Sequence, residues 1–387
     1  MMKISARRST LGYLALMTAL AFGAIAMALV KLRGQPLFAD FLTMWTGGRL
    51  SVTSPEAPYD AALVDQAQVW LIGPDVHHRQ FPYPPTALLL FAPLARIGFW
   101  TAAWIWACTG LAAFAMGVGA TLPPPRWRRL ALLLMTPASV WAAVSGQSMF
   151  LVAGLAVAGL ARIERRPILA GVLLGLAATL KPTPFVVAPV ALAAGAAWRT
   201  AAAAAVTAGL AFVLSLLAFG WPSWVAWLNF APGFLHDVLT NTAYVTGLIT
   251  PTGLAARWGW SGAGLIVWRT GWAAGGVLLA AVAWARSRRL GWRLTGLFAG
   301  SFLASPYGVA YDTLLLAPGA LLIFAQADQR LPRALAGAAF LTLIVAGLPS
   351  VGAYAFLAAL ALLLAAAGAA RVSPAGQGGG ESSPAAG

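Results

Sequence analysis

Long apolar runs, interrupted by short clusters of arginine, fill almost the whole of this 387-residue chain. Only 9% of the residues are charged, against about 25% in a soluble domain. Runs of this kind belong in the membrane, where only α-helices and closed barrels satisfy every backbone polar group. A transmembrane barrel would show alternating segments of ~10 residues, which this chain lacks. The pattern therefore predicts an all-α polytopic membrane protein.

The apolar runs divide into about twelve predicted spans. They cover residues 11–32, 99–120, 129–145, 148–162, 168–181, 183–197, 200–220, 263–285, 290–304, 309–325, 333–348 and 350–370. The run 85–97 is too short to cross, so we interpret it as a re-entrant or interfacial helix. A cleaved signal peptide would also fit the N-terminus, but the many later spans favour an uncleaved first helix. Residues 1–370 then form one transmembrane domain, and the Gly/Ser/Pro-rich tail 371–387 is expected to be disordered and cytoplasmic.

The basic residues predict the orientation of the chain. With a cytoplasmic N-terminus, 17 of the 25 lysines and arginines fall in cytoplasmic segments, in accord with the positive-inside rule. Seven of the ten acidic residues then face outward, and two large loops, 33–84 and 221–262, are extracytoplasmic. Because the net charge of +15 lies in clusters between apolar runs, we expect membrane lipids, and no nucleic acid, as partners. The predicted location is the plasma (inner) membrane, with the active site on its outer face.

Acid-base side chains concentrate in the first outer loop. Between residues 38 and 85 lie five of the ten acids and two of the three histidines: Asp40, Glu56, Asp60, Asp65, Asp75, His77 and His78. Because most of the groups that can transfer protons stand in one loop against a membrane surface, we expect chemistry there.

Asp40 fits two roles from its position alone. It opens the segment DFLTMWTGGRL, which resembles a short interfacial helix ending at Gly47-Gly48, so Asp40 would be the N-cap. A carboxylate at this boundary would also be partly desolvated, which raises its pKa and suits a general base. Spacing favours the cap, and the two roles are compatible.

Further polar residues of the first loop offer binding groups. Asp60 is expected to cap a helix over 61–71. The cluster His77-His78-Arg79 would bind a phosphate or sugar, or form an exposed polar loop. Two adjacent histidines without a third ligand indicate no metal site. Tyr83, in the rigid segment FPYPP, would line a sugar or lipid site, or anchor the chain at the interface.

Three polar residues interrupt the later apolar runs. Lys181 stands at prolines that break a helix, where a cation would neutralise a lipid phosphate or extend to the interface. Gln147 occupies an outer turn and would hydrogen-bond a ligand, or simply belong to the turn. Asp312, at the outer end of a span, would orient a substrate or pair with a basic residue such as Arg49 or Lys181.

The chain lacks a Walker motif, a dinucleotide fingerprint and a DxD-like pair, which disfavours a soluble nucleotide donor and fits a lipid-carried one. No cofactor and no metal are expected. A transporter or flippase of a lipid-linked sugar would explain broken helices but not the acids in an outer loop. A membrane scaffold would not explain those acids either.

The ordered set of motifs resembles glycosyltransferase family 87, the integral-membrane GT-C enzymes that use polyprenyl-phosphate sugars. The motifs run in family order over residues 38–320: Asp40-Phe41 with Trp45 and Gly48, Tyr59-Asp60, Phe81-Pro82-Tyr83-Pro84-Pro85 with Pro93-Leu94, Gly146-Gln147, Gly171 and Gly175 with Lys181-Pro182, and Ser305-Pro306 with Tyr311-Asp312.

The resemblance implies an inverting transfer of a hexose, with mannose expected, from a polyprenyl phosphate to a lipid or glycan hydroxyl. It implies that Asp40 is the catalytic base. Arg49, Arg79 or Lys181 would then neutralise the donor phosphate. The family histidine near the late outer loop is absent from 305–312, so Tyr311, Asp312 or the cluster 77–79 would replace it.

Overall fold

The computed structural model describes residues 2–33, 35–74, 79–348 and 350–372, and within these ranges the regular elements are helices. In chain order the α-helices are α1 Met2–Leu32, α2 Ala39–Thr53, α3 Ala61–Ile72, α4 Pro85–Leu94, α5 Phe99–Gly119, α6 Arg126–Leu134, α7 Pro137–Ser145, α8 Met149–Leu160, α9 Pro167–Leu180, α10 Ala188–Ala194, α11 Trp198–Thr240, α12 Thr242–Val245, α13 Pro251–Arg257, α14 Gly262–Arg286, α15 Leu290–Ala304, α16 Ala317–Gln326, α17 Arg330–Val345 and α18 Gly352–Val372. Short 3-10 turns lie at Ala57–Tyr59, Thr183–Phe185 and Ala310–Leu315. The predicted all-α class is confirmed.

Four helices of the described chain are long and apolar enough to cross a membrane: Phe99–Gly119, Trp198–Thr240, Gly262–Arg286 and Gly352–Ala370. Apart from α1, which has 31 residues, the other apolar segments have 10–17 residues, so at 1.5 Å per residue the longest of these covers only about 26 Å. The hydrocarbon core of a bilayer is ~30 Å thick. These findings support a multi-pass membrane protein, whereas the number of twelve spans stays a prediction. The tail beyond residue 372 lies outside the described residues.

Three expected spans are interrupted, one of them 183–197, where a 3-10 turn precedes α10. The span 129–145 divides into α6 and α7, because Pro137 lacks the N–H that a continuous helix needs. The Thr136 hydroxyl caps α7 by accepting from the Ser139 amide at 3.3 Å. In the span 309–325, a 3-10 turn precedes α16. The break at Lys181-Pro182 was correctly predicted, since α9 ends one residue earlier.

The prediction that α2 ends at Gly47-Gly48 is wrong, because the helix continues to Thr53. These glycines serve close packing instead. A Cβ on Gly47 would lie 2.6 Å from the Phe81 ring, and one on Gly48 would lie 2.3 Å from the backbone oxygen of Phe91. Helix α2 is therefore buried against α4 and the segment before it, rather than lying on the surface.

The two capping predictions for this region had different outcomes. Asp60 caps α3 as expected, since its Oδ1 accepts from the amides of Ala62 at 2.9 Å and Leu63 at 3.2 Å. Asp40 is not the N-cap of α2, because Phe38 occupies that position in a left-handed conformation with φ of 64°. Asp40 lies in the first turn of the helix, which leaves its side chain available for contacts with other elements.

Buried aromatic rings fix α2 against α4 and α5. The Phe41 ring stacks on Trp106 with centroids 5.8 Å apart, and the Phe91 ring meets Trp106 edge-on at 5.3 Å. All three side chains are buried. This packing sets the beginning of α2 beside the turn that joins α7 to α8.

The predicted outer segment 221–262 contains helices. Helix α11 bends at Gly220, where φ is 72°, and its second half extends over the segment 81–85. The Trp227 indole N–H donates to the Pro82 backbone oxygen at 3.3 Å, and the Phe230 ring packs on Tyr59 at 6.1 Å. This half-helix thus covers the segment that holds Tyr83.

Candidate active site

The first turn of α2 is fixed to the end of α7, and this contact positions Asp40. The Phe38 amide donates to the Val144 backbone oxygen at 2.7 Å, which joins two segments more than 100 residues apart in sequence. Asp40 follows two residues later, with its side chain only 13% exposed. A carboxylate with so little water around it needs partners from the protein.

Arg79 and Gln147 provide these partners. The Arg79 guanidinium contacts Oδ1 of Asp40. The Gln147 amide Nε2 donates to Oδ2 at 2.6 Å. A guanidinium and a donated hydrogen bond both stabilise the ionised form of a carboxyl group. One oxygen of Asp40 thus contacts a cation, and the other accepts from a neutral amide.

Arg79 is itself held at both ends. Gln68, which is 1% exposed, binds its backbone twice: Gln68 Nε2 donates to the Arg79 oxygen at 2.7 Å, and the Arg79 amide donates to Gln68 Oε1 at 3.1 Å. The guanidinium also donates to Gln35 Oε1 at 2.7 Å. These bonds restrict the positions that the Arg79 guanidinium can occupy.

The turn between α7 and α8 requires a glycine before Gln147. Gly146 adopts a φ of 70°, and a Cβ there would lie 2.7 Å from the Cβ of Phe41. The Trp106 indole N–H donates to the Gly146 oxygen at 2.9 Å. Gln147 is therefore presented to Asp40 from a rigid turn. Its Oε1 atom is buried and has no hydrogen-bond partner in the part of the chain that the structure describes.

A second ion pair joins Lys181 and Asp312. The Lys181 ammonium lies 2.5 Å from Asp312 Oδ1, and Asp312 Oδ2 accepts from the Val309 amide at 2.9 Å. The ammonium is also 4.9 Å from the centre of the Tyr311 ring. Both charged residues are buried, with exposures of 9% and 2%. Charges held this far from water are costly and tend to serve function.

Tyrosines lie between the two ion pairs. Arg79 interacts electrostatically with the hydroxyls of Tyr244 and Tyr311, and Asp312 with those of Tyr83, Tyr307 and Tyr311. Burial raises the pKa of Tyr307 to about 12, and it also raises the pKa of Tyr83. Both hydroxyls therefore keep their protons at neutral pH and can donate hydrogen bonds to a sugar or a phosphate.

Of the predicted site residues, the structure brings together Asp40, Arg79, Tyr83, Gln147, Lys181, Tyr311 and Asp312. Arg49 lies apart, because nine residues of helix separate it from Asp40 by about 13.5 Å. It is exposed, and its guanidinium lies 5.4 Å from the centre of the Trp45 ring. His77 and His78 lie outside the described residues.

Several residues of this site gave no signal in the sequence. Gln35 and Gln68 hold Arg79 from positions 44 and 11 residues away. As neutral amides they resemble any polar loop residue. Tyr244 and Tyr307 come from two separate segments predicted to be outer loops, and only the fold brings them to the charged groups.

Within the described ranges, no three His, Cys, Asp or Glu side chains gather as a metal ion would require. The expectation of a reaction without metal or cofactor stays a prediction. Among the described residues, the charged groups that the structure gathers here are two carboxylates and two cations, one of each in either pair.

The family model of glycosyltransferase family 87 matches residues 81–306 of this chain, more than half of its length. The matched region includes Tyr83, Gln147 and Lys181, whereas Asp40, Arg79, Tyr311 and Asp312 lie just outside it. No curated protein and no solved structure matches the chain. The family match confirms the resemblance drawn from the ordered motifs. The chain therefore belongs to glycosyltransferase family 87 and is an enzyme that moves a sugar from a donor to an acceptor.

Proposed function

We propose that this glycosyltransferase transfers a hexose, with mannose as the first candidate, from a polyprenyl phosphate to a hydroxyl of a lipid or glycan. The reaction inverts the anomeric centre and takes place at the extracytoplasmic face of the plasma membrane in a GT-C-type fold. Asp40 is the general base. The observation that carries this proposal is the largely shielded Asp40 carboxylate, which is held by Gln147 and Arg79, together with the buried ion pair of Lys181 and Asp312.

The proton and the leaving group have separate places in this site. Asp40 takes the proton from the acceptor hydroxyl, and the oxygen attacks the anomeric carbon from the face opposite the phosphate. The bond between the anomeric carbon and the phosphate oxygen breaks, and the electron pair leaves with the polyprenyl phosphate. Fixed cations that meet this developing charge lower the barrier. Buried Lys181 and half-buried Arg79 are the cations within the group described above.

The preference for a lipid-carried donor rests on chemistry and location. The chain has no sequence motif for a nucleotide. Its active-site candidates lie among apolar helices, where a phosphate on a long hydrocarbon chain can enter sideways from the bilayer. Membership in a glycosyltransferase family gives no support to the alternative of a transporter or flippase.

The test is transfer from radiolabelled polyprenyl-phosphate mannose to total membrane glycolipid, with wild-type protein compared with Asp40→Asn. Asparagine keeps the shape but cannot take the proton, so we expect a loss of about 10²–10⁴-fold. Asp60→Asn is the matched control, because asparagine also caps helices well and Asp60 takes no part in the site. The anomeric configuration of the product, read by NMR, tests inversion.

Wild-type turnover by a folded Asp40→Asn protein would remove Asp40 from the base role. Absence of product from the wild type would first call for other sugars on the same lipid. If no sugar carried on polyprenyl phosphate gave a product, the proposed donor class would be contradicted.

A further inference from the structure

The turn between α7 and α8 is complete without the side chain of Gln147. The backbone amide of this residue donates to the Ala142 oxygen at 2.8 Å, and the Gly146 oxygen accepts from the Trp106 indole N–H at 2.9 Å. Backbone and indole hydrogen bonds therefore hold the turn. The side-chain amide of Gln147 is left for another role.

This amide bonds to Asp40 and leaves its own oxygen unpaired. The Nε2 atom of Gln147 donates to Asp40 Oδ2 at 2.6 Å, whereas Oε1 is buried and has no hydrogen-bond partner among the described residues. A buried acceptor without a partner lowers the stability of the fold. Packing and turn formation thus do not explain a glutamine at this position, but the bond to the candidate base does.

A backbone hydrogen bond sets the distance between the two side chains. The Phe38 amide donates to the Val144 oxygen at 2.7 Å, two residues before Asp40 and three before Gln147. Arg79, in contrast, reaches Asp40 through a long side chain that is 28% exposed. Rotation of a carboxyl group about its last torsion is soft, so contacts to both oxygens are needed to fix its plane. Gln147 makes the contact that comes from a rigid turn.

We infer that Gln147 is a positioning residue for the candidate base: it fixes the plane of the Asp40 carboxylate and leaves Oδ2 as the atom that takes the acceptor proton. The inference rests on the proposed function and deepens it by assigning the proton to one oxygen. An ionised carboxylate has about four lone-pair sites, and the two contacts occupy one on each oxygen. Oδ1 faces the guanidinium charge of Arg79, which makes it the weaker base. Oδ2 faces a neutral amide, so its remaining lone pair accepts the proton while the acceptor oxygen attacks the sugar.

Steady-state kinetics of Gln147→Met test this role, with radiolabelled polyprenyl-phosphate mannose as the donor and membrane glycolipid extract as the acceptor. Methionine has a similar length but cannot donate a hydrogen bond. We expect kcat to fall about 10- to 100-fold, since a small misplacement of a reacting group has a cost of this size. The KM for the donor and the apparent KM for the diluted extract should stay within about twofold, because the lost interaction acts in the transition state. Gln66→Met is the matched control, since Gln66 is exposed on α3 and is absent from the contacts above.

A double variant separates positioning from direct binding and from folding. Asp40→Asn has no base to position, so adding Gln147→Met should change its residual rate by less than about twofold. The midpoint of thermal unfolding of Gln147→Met should lie within ~4 °C of the wild type, because the substitution removes one unpaired oxygen and creates another. Gln147→Asn is a second variant: it keeps the amide but is one methylene shorter, so it should lose kcat as well.

Wild-type kcat in both Gln147 variants would overturn the inference, and so would a further loss of about tenfold when Gln147→Met is added to Asp40→Asn. A raised acceptor KM with unchanged kcat would assign Gln147 to acceptor binding instead. Each of these results leaves Asp40 as the base. An Asp40→Asn protein as active as the wild type would instead reject the base itself, and the role of Gln147 with it.

Discussion

Each of the two cations in the site is paired with a carboxylate, and this pairing decides what a substitution does. Removing Lys181 leaves Asp312 charged and unpaired in a buried place, which costs much more than the pair itself contributes. A loss of activity in such a variant would therefore say nothing about phosphate binding unless stability were controlled.

A double variant that removes both charges separates the effect on stability from the effect on phosphate binding. We expect Lys181→Met to destabilise the protein by about 3–5 kcal/mol, seen as a lower midpoint of thermal unfolding in detergent. The double variant Lys181→Met, Asp312→Asn should recover most of that stability, because asparagine needs no counter-charge and its side-chain oxygen can still accept from the Val309 amide. Both variants should lose about 10²–10³-fold in transfer rate, as when one group that stabilises the leaving charge is removed. Recovered activity in the double variant would assign Lys181 a purely structural role.

At this scale the sequence predicted which charged residues to examine, but not how they pair. The sequence offered Arg49 and Lys181 as possible partners of Asp312. Lys181 stood out because it is a charged residue within an apolar run. The contact of Arg79 with Asp40 was not anticipated, since both had been assigned to separate roles in the loop. Neutral Gln35 and Gln68 could not be found, because no periodicity or charge marks an amide whose partner is set by the fold.

At the scale of helices, glycine has two different roles, and the wrong prediction for the end of α2 confused them. Gly146 marks the end of α7, whereas Gly47-Gly48 lie inside α2. A glycine ends a helix when its φ is positive, and it brings two helices close when its missing Cβ leaves room for a neighbour. The letters in the sequence are the same in both cases, and only the position of α4 distinguishes them. Proline is no more decisive, because Pro137 and Pro182 lie where helices are interrupted, whereas Pro93 and Pro232 lie inside α4 and α11.

The close approach of α2 to α4 predicts a cost for any side chain at Gly48. Its Cβ would lie 2.3 Å from the Phe91 backbone oxygen, and a backbone atom cannot move aside as a side chain can. We expect Gly48→Ala to lower stability by about 1–3 kcal/mol through overpacking, and to lower activity because α2 carries Asp40. Gly271→Ala is the control: this helical glycine has open space around it, and alanine should raise helix stability by up to about 1 kcal/mol.

Thermal unfolding and the transfer assay measure both variants. If Gly48→Ala unfolded at the wild-type temperature and kept full activity, α2 would not need its tight contact with α4. In that case the original interpretation of Gly48 as a helix terminator would regain support.

At the scale of the whole molecule, ion pairs agree with the predicted distribution of charge. Glu164 pairs with Arg293 at 2.9 Å and lies 3.9 Å from Arg288, and all three belong to segments assigned to the cytoplasmic side. The pairs of Asp40 with Arg79 and of Lys181 with Asp312 join residues assigned to the outer side or to the membrane. No pair among these joins the two predicted sides, so the pairs agree with the grouping of the segments by side, whichever of the two sides is cytoplasmic.

The number of membrane crossings depends on whether the short helices cross the membrane. Cysteine labelling can decide this question. If the short helices cross as neighbours that line a cavity, all twelve spans count, and Ser54 lies outside while Gln329 and Ser373 lie inside. If only the four long helices cross, Ser54 and Gln329 keep those sides but Ser373 lies outside.

We therefore expect a membrane-impermeant maleimide to label Ser54→Cys on intact spheroplasts, and to label Gln329→Cys and Ser373→Cys only after lysis, in a Cys108→Ser background. Labelling of Ser373→Cys before lysis would reject twelve spans, and labelling of Gln329→Cys alone would reverse the orientation. The first prediction is favoured because an active site built from Lys181 and Asp312, at breaks between short helices, needs those helices to surround it at membrane depth.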